Sequence, residues 1–144
     1  MAVRGQNVGL IGAGQLGGAI GAGLLRAGVV VPGHVWVATR SGPAGELAGV
    51  PGVNWTADVE RLAARCEVIL LALPPAAGRA LRFAGAGRLV VSVMAGVRID
   101  ELIAISGGAR VVRAMSSPAA ALGMAYSPFF AGEGLNGVDR ERVR

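Results

Sequence analysis

The residues best placed to do chemistry are three glycines near the start of the 144-residue chain. Gly12, Gly14 and Gly17 form a GxGxxG pattern between an apolar run, predicted to be a strand, and a predicted helix. In such a unit the first glycine permits a tight turn, the second leaves room for a pyrophosphate, and the third lets the helix pack closely. Helix amides and the helix dipole then hold the phosphates. Together with Gln15 and Leu16, these glycines are predicted to bind a dinucleotide; an incidental glycine-rich turn is the alternative.

The end of the second predicted strand distinguishes between dinucleotides. NAD binders usually carry an acid about twenty residues after the glycine pattern, where it contacts the ribose hydroxyls. Here Thr39, Arg40 and Ser41 stand at that point, and the first acid is Glu46. A guanidinium can bind a 2′-phosphate through two hydrogen bonds, and the two hydroxyls can assist. The pattern therefore predicts NADP(H); a surface arginine in a turn is the other interpretation.

The elements that must position these residues alternate along the chain. Apolar runs predict strands over 7–11, 35–38, 52–55, 68–73, 89–93, 110–113 and 126–131. Amphipathic stretches predict helices over 15–27, 43–48, 57–65, 75–83 and 99–105, with the first turns of another from about 138. This alternation predicts an α/β fold of the Rossmann type, with a doubly wound, mainly parallel sheet and helices on both faces. Residues 1–131 are predicted to form one NADP(H)-binding domain.

The composition excludes several other classes of protein. Hydrophobic residues make up 53% of the chain and charged residues 16%, which is typical of a packed domain and not of a disordered one. His34 is the only histidine and Cys66 the only cysteine, so no metal site is predicted. The chain has no lysine, which excludes a Walker-type phosphate loop and a Schiff-base mechanism.

The charge and hydropathy patterns bear on partners and location. The net charge is +5, but all fourteen basic residues are arginines scattered along the chain, so no nucleic-acid partner is predicted. No apolar run approaches the roughly 18 residues that a membrane span needs. The N-terminus has no signal-peptide pattern. No membrane association is expected, and a cytoplasmic location is the default prediction.

Five stretches, in order along the chain, resemble the pyrroline-5-carboxylate reductase family. They are residues 8–16, 35–41, 68–75, 89–97 and 111–115. The resemblance implies a Rossmann domain that binds NADP(H) and NADPH-dependent reduction of a small cyclic imine, as in proline biosynthesis. It also implies that the backbone around Ala72, Leu73 and Pro74, and around Ala95 and Gly96, lines the nicotinamide. An imine needs little acid–base help from side chains, since the cofactor carries the difficult chemistry.

The chain departs from that family at three places. The family usually has a lysine where this chain has Pro74, an asparagine where it has Val59, and a Pro-Asn-Thr-Pro turn where it has Ser116-Ser117-Pro118. Ser116 and Ser117 are the candidate catalytic residues, as polar contacts to the substrate; loop hydroxyls also serve simply as turn formers. The substrate is therefore left open.

The C-terminal residues have a separate prediction. Residues 132–144 read as the start of a linker or helix, with Asp139 near its cap, leading to a C-terminal dimerisation domain outside this chain. The resemblance implies that this domain completes the substrate pocket and makes the protein a homodimer or larger homo-oligomer. Two alternatives stay open: an NADP(H)-binding module without catalysis, and a related NADP-dependent oxidoreductase with another substrate, such as a deazaflavin.

Overall fold

The computed structural model describes residues 5–122 and 128–143 of the chain. The strands are β1 (Val8–Ile11), β2 (Val35–Ala38), β3 (Asn54–Thr56), β4 (Val68–Leu71), β5 (Leu89–Ser92), β6 (Arg110–Ala114) and β7 (Phe129–Ala131). The helices are α1 (Gln15–Arg26), α2 (Val59–Arg65), α3 (Pro75–Ala80), α4 (Ile99–Ile105) and α5 (Gly137–Val143). Short 3-10 turns lie at Pro32–His34, Gly45–Leu47 and Pro118–Leu122.

The seven strands form one sheet in the order β3-β2-β1-β4-β5-β6-β7. All neighbouring pairs are parallel except β6 and β7, which run antiparallel. This confirms the predicted Rossmann-type, mainly parallel sheet. The strand order reverses direction between β1 and β4, and in open α/β sheets ligands bind in the crevice beyond the carboxyl ends of the strands at such a point.

Both faces of the sheet are covered, as the sequence predicts. Every residue of β1, β4 and β5 is buried, which explains their continuous apolar runs. On one face α1 packs through Ile20, Leu24 and Leu25; on the other, α2 and α4 pack through Leu62 and Leu102. In the described ranges no helix combines the length and the apolar character needed to cross a membrane.

Among the predicted helices, those over 75–83 and 43–48 differ most from the structure. The helix predicted over 75–83 ends at Ala80, since Leu81 is extended and the amide of Phe83 donates to the carbonyl oxygen of Ile105 at 3.0 Å. The side chain of Phe83 is buried in the core. The helix predicted over 43–48 is only a 3-10 turn, because Gly45 adopts a φ of +68° and interrupts a helix at its start.

The 3-10 turn Pro118–Leu122 lies against α1. A Cβ at Gly23 of α1 would collide with the carbonyl oxygen of Ala120, so the two backbones touch. Glycine is therefore required here by close approach.

The C-terminal helix α5 is fastened to the sheet by a buried aspartate. Asn136 and Asp139 cap the helix reciprocally: the Asp139 amide donates to Asn136 Oδ1 at 2.9 Å, and the Asn136 amide donates to Asp139 Oδ2 at 3.4 Å. Asp139 also accepts from Arg110 of β6 at 2.5 and 3.1 Å, and its side chain is fully buried. The prediction that Asp139 lies near a helix cap is confirmed. The predicted boundary between residues 131 and 132 stays a prediction.

Candidate functional site

The site is built around the turn between β1 and α1. Gly12 adopts a φ of +97°, a conformation that side chains disfavour, and a Cβ there would lie 2.8 Å from the carbonyl oxygen of Ala72. Its amide donates to the carbonyl oxygen of Ala38 at 3.3 Å. The glycine turn is thereby held against the carboxyl ends of both β2 and β4.

The N-terminus of α1 is open and has no cap from the protein. Gly14 is the N-cap residue, no side chain of the described residues caps the first turn, and that turn contains no acid. A Cβ at Gly14 would meet no atom within 4 Å. The first amides of the helix and its positive dipole end are thus available to an anion that approaches the backbone. This arrangement fits a pyrophosphate.

Gly17 explains why the helix lies so close to the strand. A Cβ at Gly17 would collide with the carbonyl oxygen of Gly12 and would lie 3.0 Å from the Cβ of Ala72. The close-packing role predicted for this glycine is confirmed. Gln15 is exposed at the start of the helix.

A cleft of about 530 Å³ opens beside this turn, and we call it the glycine-loop cleft. It is lined by Ile11, Gly12, Ala13, Gly14, Ala38, Thr39, Arg40, Ala57, Val59, Ala72, Leu73, Pro74, Ala77, Ala80, Leu81 and Arg82. Among these residues two carry a positive charge and none carries a carboxylate. The electrostatics of the cleft therefore favour an anionic ligand.

The predicted phosphate-binding residues at the end of β2 lie in different surroundings. Arg40 is exposed and lines the glycine-loop cleft. Thr39 also lines it, but its hydroxyl donates to the carbonyl oxygen of Gly42 at 2.8 Å and so shapes the turn. Ser41 is exposed and is not part of the lining.

A second cavity, of about 630 Å³, lies at the other side of α1's start, and we call it the β6–β7 pocket. It is lined by Leu16, Val93, Met94, Ala95, Gly96, Arg113, Ala114, Met115, Ser116, Pro128, Phe129 and Phe130. Most of these side chains are apolar. Ser116 belongs to the lining, whereas Ser117 does not; the carbonyl oxygen of Ser117 accepts from the amide of Ala120 at 3.0 Å.

The turn at Gly96 is held in place by Arg79 of α3. Arg79 Nη2 donates to the Gly96 carbonyl oxygen at 2.8 Å, and Arg79 Nε lies 3.3 Å from Glu101 Oε1. The amide of Arg98 donates to Glu101 at 2.8 Å, and this bond, together with Arg79, lowers the pKa of Glu101. The predicted nicotinamide-lining residues thus fall into two groups, Ala72 to Pro74 in the cleft and Ala95 with Gly96 in the pocket.

Several lining residues were not identified from the sequence. Arg82 enters the cleft from beyond the end of α3, and Arg113, Phe129 and Phe130 enter the pocket from β6 and β7. Arg113 and Phe130 are register partners of the antiparallel pair. The end of β6 was a usable signal for Arg113, since strand ends face the ligand crevice. No local pattern indicated Arg82.

The glycine turn, the uncapped helix start and the crevice beside β1 and β4 define a dinucleotide-binding domain of the Rossmann type. The model of the family described as "NADP oxidoreductase coenzyme F420-dependent" matches residues 7–96, and the chain belongs to that family. The prediction of an NADP-dependent oxidoreductase is confirmed at the level of the family.

Curated relatives are similar to the chain in sequence, and a solved structure is similar to it in fold. Pyrroline-5-carboxylate reductase of Escherichia coli K12 is 32% identical over 117 residues, which cover 76% of this chain and 44% of the relative. The Arabidopsis thaliana enzyme of that name is 28% identical over 138 residues, 92% of this chain and 50% of the relative. The Plasmodium falciparum pyrroline carboxylate reductase, solved with NADP bound, superposes with a TM-score of 0.82 at 19% identity, over 99% of this chain and 54% of that one. The chain spans about half the length of these relatives.

Proposed function

We propose that this chain binds NADP(H) across the β1/β4 crevice, with the pyrophosphate on the first turn of α1 and the 2′-phosphate on Arg40. The observation that carries the proposal is the uncapped helix start at Gly14, which opens beside a cleft with cationic and no acidic lining. Phosphates are stabilised at such a helix end by amide hydrogen bonds and the dipole. A guanidinium at the end of β2 then favours the cofactor that carries the additional phosphate.

The proposed reaction is the reduction of a cyclic imine, as the pyrroline-5-carboxylate reductase names of the curated relatives suggest. When bound, a reduced nicotinamide supplies a hydride to the carbon of the C=N bond, and the nitrogen gains a proton from solvent. The chain's own residues position the reactants: the backbone of Ala72 to Pro74 and of Ala95 and Gly96 lies on either side of α1's start. Ser116 lines the pocket as the candidate polar contact to the substrate.

We propose further that a helical domain beyond these residues covers the β6–β7 pocket and pairs two copies of the protein. The pocket wall is exposed at large apolar side chains: Met115 is 72% exposed, Phe130 69% and Phe129 42%. Contiguous exposed apolar groups around a cavity are typical of a surface that another element covers. The substrate pocket of this chain alone is therefore proposed to be incomplete.

One other candidate has a specific observation in its favour. The matching family carries coenzyme F420 in its description, so a deazaflavin in the β6–β7 pocket is the second candidate substrate. An open pocket of about 630 Å³ with mostly apolar lining suits a flat aromatic ring system.

The experiment separates binding from turnover. The purified protein is titrated with NADPH and with NADH by nucleotide fluorescence, and NADPH oxidation is then followed with pyrroline-5-carboxylate, with other cyclic imines and with F420. Tight NADPH binding with imine-dependent oxidation supports the reductase. Binding without turnover on any substrate favours a cofactor-binding module, and no binding of either nucleotide overturns the proposal.

A further inference from the structure

A second arginine enters the glycine-loop cleft from the wall opposite Arg40. Arg40 follows β2, whereas Arg82 follows α3, the helix that comes after β4. Strands β2 and β4 flank β1 on opposite sides. The cleft above β1 is thus bounded by one guanidinium-bearing segment on each side.

Hydrogen bonds to the backbone fix the direction of the Arg82 side chain. Its Nη1 donates to the carbonyl oxygen of Arg79 at 2.8 Å and to that of Leu81 at 2.6 Å. In the part of the chain that the structure describes, Nε and Nη2 of Arg82 make no hydrogen bond. A guanidinium carries five N–H donors in a rigid plane, so anchoring one nitrogen orients the others. Donors that are oriented before binding lose less entropy when a ligand arrives.

The charge of the lining indicates what these donors would bind. The described lining contains two guanidinium groups and no carboxylate that could neutralise them. The same lining includes the apolar side chains of Val59, Ala77 and Leu81, and such a surface suits the adenine ring. The anionic group of the proposed ligand nearest that ring is the 2′-phosphate of the ribose.

We propose that Arg82 is a second determinant of the preference for NADP(H) over NAD(H), acting on the 2′-phosphate together with Arg40. This inference rests on the proposed cofactor. It differs from an adenine-stacking role in its consequence: a contact to the ring affects both cofactors equally, whereas a contact to the phosphate affects only NADP(H).

The test compares dissociation constants for NADPH and NADH in five proteins: wild type, Arg82→Gln, Arg82→Lys, Arg40→Gln and the matched control Arg26→Gln. Arg26 is exposed at the end of α1 and lines neither cavity, so its substitution removes one positive charge outside the site. Thermal unfolding of each variant checks that the fold is retained.

We expect Arg82→Gln to weaken NADPH binding about tenfold, the size of one lost charge-assisted hydrogen bond, and to change NADH binding less than about twofold. Arg82→Lys should retain part of the preference, and Arg26→Gln all of it. Equal losses for both nucleotides, or no loss for either, in a folded Arg82→Gln protein overturn the inference while the proposed cofactor stands. If the wild-type protein does not bind NADPH more tightly than NADH, the proposal that NADP(H) is the cofactor is itself wrong.

Discussion

The substitution Gly14→Ala separates the requirements of the ligand from those of the fold. An added methyl group at Gly14 would meet no protein atom within 4 Å, and the residue's φ of −69° is one that alanine adopts readily. The methyl group would instead occupy the space through which a pyrophosphate reaches the helix amides. We therefore expect a protein that folds normally and binds NADPH poorly.

The magnitudes follow from the geometry. Alanine is a poorer N-cap than glycine, which costs below about 1 kcal/mol of folding stability. A hydrogen bond from an amide to a charged phosphate contributes about 1.5–3 kcal/mol, so the loss of one bond weakens binding roughly tenfold to 150-fold. The loss of affinity should thus exceed the loss of stability.

Two other glycines provide the comparison. Gly49 also has no atom within 4 Å of an added Cβ and lies outside the cleft, so Gly49→Ala should leave binding unchanged. Gly17→Ala should reduce both folding stability and NADPH affinity, because its methyl group would collide with the Gly12 carbonyl oxygen. Overpacking of this kind costs about 1–3 kcal/mol of folding stability. Urea unfolding measures stability, and NADPH fluorescence titration measures affinity. If Gly14→Ala binds NADPH as wild type does, the pyrophosphate does not lie against Gly14 and the reasoning about the helix start is wrong.

Three further predictions concern single side chains. Arg40→Ala should weaken NADPH binding about tenfold or more and leave NADH binding unchanged, as measured by the same titration; equal effects on both would contradict the 2′-phosphate contact. Asp139→Asn should reduce the free energy of unfolding by roughly 3 kcal/mol, the low end of the range for a buried ion pair, because Arg110 is partly exposed. Burial raises the pKa of Asp139, but hydrogen bonds, the Arg110 bond foremost, outweigh it and lower the pKa. The stabilisation should therefore persist above the ordinary aspartate pKa and disappear as the pH falls through the lowered one, a dependence absent from Asp139→Asn. Burial chiefly raises the pKa of the Cys66 thiol to about 12, so a thiol reagent at neutral pH should label it only after unfolding; rapid labelling of the native protein would contradict its burial.

Local sequence patterns predicted the bounds of those helices and strands whose ends are set by neighbouring residues in the sequence. The strand 35–38 and the helix 99–105 have the predicted bounds, since the apolar spacing and the flanking polar residues coincide there. The end of α3 was not predictable, because the chain leaves the helix where Phe83 joins the core and pairs with Ile105, a contact between distant parts of the sequence. The last strand is observed over Phe129–Ala131, and the earlier part of its predicted range lies partly outside the described residues.

In the candidate site, too, some residues could be predicted from local sequence and others depend on contacts between distant parts of the chain. The glycine turn and Arg40 belong to a pattern of fixed spacing and could be found in the sequence. Arg82 could not be selected among fourteen scattered arginines, because its position depends on the three-dimensional course of the chain. Arg113 differs, since it stands at the end of a predicted strand. The substrate, the homodimer and the cytoplasmic location stay predictions.

The contact at Gly23 joins two parts of the site mechanically. The N-terminus of α1 faces the glycine-loop cleft, and further along the helix Gly23 contacts the turn Pro118–Leu122. This turn follows directly after Ser116, which lines the β6–β7 pocket, and Ser117. Helix α1 therefore contacts both the glycine turn and the segment that leads away from the β6–β7 pocket. The distance between these two parts is set by the backbone contact between Gly23 and Ala120. Any side chain at position 23 would push the backbones of α1 and of the turn Pro118–Leu122 apart, and would change this distance without entering either cavity.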